Sequence, residues 1–142
     1  MIKKKGKVLI LSAITILAFL TAPFGQIENL SAQQKLHLPT IEKAVICETV
    51  VDRTPRGIRQ VYPSTIGTLY CFNHLAEIPS EGMIYHVWYH GNVEIARVEL
   101  SISPPRWRTW SSKIILPEFK GSWRVEVVYG DHILKTLSFI IE

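Results

Sequence analysis

From Ile84 to Phe139 the chain is strand after strand, dense in Trp, Tyr and Arg and cut at intervals by Gly and Pro. No other stretch restricts the fold as much. Ala96, Val98, Leu100 and Ile102 alternate with Arg97, Glu99 and Ser101, the period-2 pattern of a strand with one buried face. Trp123, Val125 and Val127 alternate with Arg124 and Glu126 in the same way, and Leu137, Phe139 and Ile141 close the chain. His90-Gly91-Asn92-Val93 predicts a tight hairpin, because Gly and Asn both accept positive φ. Pro104-Pro105, Pro117–Gly121 and Tyr129-Gly130-Asp131 mark further turns.

Upstream the same signals continue. Val45, Cys47, Thr49 and Val51 alternate, Thr68 to Asn73 reads as a second strand, and Ile78 to Gly82 supplies a turn. Pro55, Gly57 and Pro63 make Thr54 to Pro63 a loop with a short edge strand at Ile58 to Tyr62. About seven strands with frequent turns and no amphipathic helix predict an all-β fold, an antiparallel β-sandwich of immunoglobulin-like type, with a small barrel as the alternative.

The N-terminus reads differently. Lys3, Lys4, Lys5 and Lys7 precede a charge-free apolar run of 15 residues, Val8 to Ala22, which is the pattern of a secretory signal. The run is shorter than the roughly 20 residues of a spanning helix. The cleavage site is poor, so residues 1–25 are expected to be a signal peptide or an uncleaved anchor that holds the protein to the membrane. Residues 26–42 read as a polar linker and residues 43–142 as the folded domain. The expected location is the periplasm or the outer face of the cytoplasmic membrane.

The chain carries 16 Lys+Arg against 12 Asp+Glu, and the four signal lysines account for the whole excess, leaving 12 against 12. A domain with no net basic charge lacks the footprint of a nucleic-acid binder. Cys47 and Cys71 form an even pair in an exported domain, where thiols tend to oxidise, and are expected to form a disulfide. The alternative is two small buried side chains.

Several segments carry a resemblance. AVICETVVDRTPRG (Ala44 to Gly57), LYCFNHL, IYHVWYHG, RWRTWSSKIILP and GSWRVEVV, ending in LKTLSF, resemble in that order the bacterial family catalogued as domain of unknown function 2914. The resemblance covers about Lys43 to Phe139. It implies an extracytoplasmic or membrane-associated β domain and implies no reaction.

Catalytic and metal chemistry find little support in the residues themselves. His86 and His90 lie four apart on a strand, roughly 13 Å from each other, whereas two ligands of one zinc each lie about 2.0–2.1 Å from it. No metal or cofactor is expected. Ser111 and Lys113 share a face but have no glycine elbow and no acid nearby, so they read as a solvated face. Asp52-Arg53 reads as a salt bridge or a turn before Pro55. An envelope hydrolase or thiol enzyme needs a convergent acid–base pair, and Glu48, Asp52, His74, His86 and His90 are dispersed.

The Trp and Arg residues point elsewhere. Arg106, Arg108 and Trp110 fall on one face of a strand, and Trp107, Thr109 and Ser111 on the other. One indole should fill the core and the other should lie at the surface or under an arginine. Trp110 is the expected outward residue, because two arginines do not face a dry core without acids. Trp88, Arg106, Trp107, Arg108 and Trp110 are the candidate contacts. They suit a non-catalytic binding or structural module of the envelope, engaging a glycan through stacking or a protein partner through aromatic hot spots. The alternative use of the same aromatics is core packing.

Overall fold

The computed structural model describes residues 36–142. The expected signal segment and most of the linker lie outside the described residues. Seven strands of eight to ten residues carry the domain: β1 (Thr40–Cys47), β5 (Thr68–Ala76), β6 (Gly82–His90), β7 (Val93–Ile102), β8 (Trp107–Ile114), β9 (Gly121–Tyr129) and β10 (His132–Ile141). Three short ones join them: β2 (Thr49–Val51), β3 (Thr54–Arg56) and β4 (Val61–Tyr62). The order β1-β5-β8 makes one sheet, β4-β10-β9-β6-β7 makes another, and β2-β3 is a separate hairpin. The pairings are antiparallel except β10 with β4. The fold is an all-β, immunoglobulin-like sandwich.

The alternation in the sequence decides what each strand buries. Val125 and Val127 of β9 are fully buried and Trp123 nearly so, while Ser122 is exposed on the opposite face. Leu69, Cys71 and Leu75 of β5 face them from the smaller sheet, with Ile84 and Trp88 of β6 and Phe139 and Ile141 of β10. Trp88 and Trp123 pack on Phe139, edge-on and stacked respectively. Fully burying side chains of this size stabilises a fold by about 1.5–3 kcal/mol each. The two-residue turns at Gly91-Asn92 and Gly130-Asp131 join β6 to β7 and β9 to β10, with Gly91 at φ 58° and Gly130 at φ 59°.

Two departures from the sequence reading concern the N-terminal part. β1 opens at Thr40, inside the stretch read as linker, because Thr40 to Lys43 is an edge-strand segment that shows mostly polar residues to solvent. The single strand expected from Val45 to Val51 is broken at Glu48, and the chain turns back as β2-β3. At the tip Asp52 (φ 49°) and Arg53 (φ 58°) both adopt the left-handed conformation. That is the geometry of a type I′ hairpin turn, which favours Asn-Gly. Tyr62 anchors the return. Its buried hydroxyl donates to the Ile46 carbonyl (2.9 Å) and accepts the Arg59 N–H (2.9 Å).

Candidate functional site

The outer face of the three-stranded sheet collects the polar and aromatic residues worth testing. In the register of β1, β5 and β8, Lys43 lies opposite His74 and His74 opposite Arg108. A lysine, a histidine and an arginine thus form one row across the sheet. The next row is Val45, Phe72 and Trp110. The Trp110 ring stacks on Phe72 at 6.2 Å between centroids and an 18° tilt, which leaves Phe72 buried and Trp110 at 36 % exposure. Arg106, just before β8, donates to both oxygens of Glu42 (2.9 and 3.1 Å), and His74 Nδ1 lies 3.2 Å from the same carboxylate.

Beside this row is a cleft of about 230 Å³ lined by Arg53, His74, Arg106, Trp107 and Arg108. The hairpin packs against β5, and its tip brings Arg53 to the cleft. No sequence signal marks Glu42, Arg53 or His74 as contacts. Glu42 falls in the stretch that reads as linker, and no local pattern reveals that residue 53 returns to residue 74.

The expectations for the tryptophans divide. Trp110 and Arg108 share the outer face, as their parity predicts. Trp107 lies opposite buried Leu75 and therefore on the inner side, yet it is 37 % exposed because it opens an edge strand. Trp88 is fully buried between the sheets and belongs to the core, so it is removed from the candidate contacts. The cation–π pairs use tyrosines: Arg124 sits 3.8 Å from the Tyr89 ring centroid and Arg97 5.9 Å from that of Tyr85.

Behind the site a polar chain crosses the core. Asn73 Nδ2 donates to the Phe72 carbonyl (2.8 Å), which turns its Oδ1 toward His86 Nε2 at 2.6 Å. Nε2 therefore carries the proton. His86 Nδ1 accepts from Ser111 Oγ at 2.7 Å, and Ser111 Oγ accepts from Trp88 Nε1 at 3.1 Å. Among the described residues every buried side-chain nitrogen and oxygen has a partner. Desolvation holds the His86 pKa down to about 3.

Ser, His and Asn in this order match the polarity of a nucleophile, a base and its orienting group. All three are buried, however, and none lines the cleft or the other groove described below. The chain is a pin between the two sheets. Ser111 is accordingly not on a solvated face, a correction that follows from its place opposite Cys71.

The expected disulfide is also corrected. Cys71 lies opposite Ile46 and Cys47 opposite Tyr70, so the cysteines are one residue out of register on neighbouring strands. Their side chains leave the sheet on opposite faces. Both are buried free thiols. Burial pushes the Cys47 pKa up to about 11 and raises that of Cys71 as well. Among the described residues no group of three or more His, Cys, Asp or Glu is placed to hold a metal, and no helix is long and apolar enough to cross a membrane. A second groove, of about 540 Å³, lies on the outside of the larger sheet between Val61, Ile140, Ser122 and Arg124.

Comparison with known proteins assigns no activity. Residues 81–141 match the family described as protein of unknown function (DUF2914), the family that the sequence motifs resemble. The match takes in the motifs from Ile84 onward and leaves out the two that contain Cys47 and Cys71. No curated protein matches the chain. An immunoglobulin-like protein from Pseudomonas aeruginosa is similar in structure, with 14% identity over 74% of this chain and 97% of that one and a TM-score of 0.49. A Pseudomonas fluorescens alkylpurine DNA glycosylase, solved bound to DNA containing an abasic site analog, is similar at 10% identity and a TM-score of 0.46, over 72% of this chain and 30% of that one. A β-sandwich whose residues 81–141 match a family of unknown function is compatible with a non-catalytic module.

Proposed function

We propose that this domain is a non-catalytic binding module exported to the bacterial cell envelope, and that it binds an envelope glycan on the outer face of its three-stranded sheet. The observation that carries the reading is the pair of adjacent rows, Lys43–His74–Arg108 beside Phe72–Trp110, with Trp110 and Arg108 open to solvent. An exposed indole offers a flat apolar surface to a sugar ring, and the neighbouring cations supply hydrogen-bond donors. The Lys-rich start and apolar run of the N-terminus support the envelope location. A hydrolase reading would have to run through Ser111 and His86, and these are sealed in the core. The test is co-sedimentation of the full chain with isolated envelope polysaccharide. Trp110→Ala should abolish sedimentation while the fold persists by circular dichroism, and unchanged sedimentation would refute the reading.

A further inference from the structure

The cleft between the hairpin tip and β8 has a charge balance that the fold by itself does not explain. Three arginines, Arg53, Arg106 and Arg108, line it together with His74. The acid that pairs there is Glu42, which is already shared between Arg106 and His74. Among the described residues Arg59, Arg97, Arg106 and Arg124 have salt-bridge partners, whereas Arg53 and Arg108, like Arg56 outside the cleft, have none. Lys43 continues the basic row on the far side of His74 and adds to the positive field. Arg53 is held at φ 58°, a conformation that costs a residue with a Cβ and that Gly would adopt freely.

Like charges brought together in this way are stabilised by an anion lying between them. Guanidinium groups are suited to it, since each presents a planar fork of donors that matches a carboxylate or phosphoryl group. Trp107, 37 % exposed at the open end of β8, also lines the cleft. At about 230 Å³ the space is smaller than the roughly 300–1,000 Å³ typical of pockets for drug-sized ligands. It suits a single anionic group and part of the ring that bears it.

We infer that this cleft is an oxyanion-binding site, taking the carboxylate or phosphoryl group of an acidic sugar, with Arg53 and Arg108 as the direct ligands and Glu42 as an internal competitor for Arg106. The assignment to a sugar polymer rests on the proposed function, whereas the anion chemistry rests on the cleft alone.

Binding is measured on the full chain in mild detergent by calorimetry and by His74 and Trp107 resonances, using glucuronate, inorganic phosphate and neutral glucose as probes. Glucuronate or phosphate should bind, with affinity falling as salt is raised, and glucose should not. A response to glucuronate alone identifies a carboxylate sugar, and one to phosphate alone a phosphorylated polymer. Arg108→Gln should weaken binding at least tenfold. Glu42→Gln should tighten it several-fold, a gain that damage to the fold would not produce.

Binding of neither anion, or equal affinity in the wild-type protein and Arg108→Gln, overturns the inference. Envelope polysaccharide that sediments equally with wild type and Arg108→Gln, but not with Trp110→Ala, removes the anion site and leaves the binding module standing. Glucuronate binding without any sedimentation removes the glycan reading and leaves the anion site.

Discussion

The pin through His86 makes the fold sensitive to acid in a way that one residue should dominate. In the folded protein the ring is neutral, donates through Nε2 and accepts through Nδ1, and its pKa is lowered from 6.5 to about 3 by burial. Protonation of Nδ1 would set two donors, His86 and Trp88, against Ser111 Oγ and leave the serine proton without its acceptor. The unfolded chain takes up the proton near pH 6.5. The stabilisation is therefore complete above pH 6.5 and is lost as the pH falls toward 3, because only the unfolded state binds the proton in that window. One proton corresponds to about 1.4 kcal/mol per pH unit, or about 2 kcal/mol between pH 6.5 and pH 5. That is a large share of the roughly 5–15 kcal/mol that holds a domain folded.

Urea midpoints at pH 7.5, 6.0 and 5.0 should fall accordingly. His86→Gln, whose amide offers a donor and an acceptor but does not titrate, should flatten the slope by one proton's worth. Other titrating groups contribute equally to both proteins and cancel in the difference. A His86 resonance that titrates near pH 6 in the folded protein, or a variant with the wild-type slope, would refute the reasoning.

Other perturbations have defined outcomes. Trp88→Ala should cost about 3–5 kcal/mol, since it empties the core and removes a donor from Ser111, whereas Trp107→Ala and Trp110→Ala should each cost about half that or less. Thermal melts rank the three, and equal losses would place all three indoles in the core. Alkylation of the folded, unreduced protein at pH 8 should modify neither cysteine, and alkylation after unfolding without reductant should modify both; one or no labelled thiol in the unfolded sample would contradict the register. Gly57→Ala should destabilise by about 1–2 kcal/mol, because Gly57 sits at φ +70° and a Cβ there would lie 2.7 Å from the Glu48 side chain. A midpoint within error of wild type would show that Glu48 simply moves aside.

Much of the fold is legible residue by residue. Period-2 alternation and turn chemistry are local, so the hairpin at Gly91-Asn92, the half-buried face of β7 and the outward side of Trp110 can be read without knowing what lies opposite. The break at Glu48 is harder to see, because residues on both sides favour strands and only packing against β5 turns the hairpin back. Trp88 shows the same limit. Its parity with His86 and His90 is correct, but parity does not say which face of the strand is inside.

By itself, then, the sequence determined most of the strands, the alternation of their two faces, the sandwich class and the neutral charge of the domain, since each depends on neighbours a few residues apart. Only the tertiary structure decided which strands are adjacent and in what register. Register puts Cys47 and Cys71 on opposite faces, joins Asn73, His86 and Ser111 into one buried chain, and lines up Lys43, His74 and Arg108 beside Glu42 and Arg53. A shift of one residue turns every side chain of a strand to the other face. Contacts between residues far apart in the chain therefore depend on pairing energies summed over whole strands, which no single motif contains.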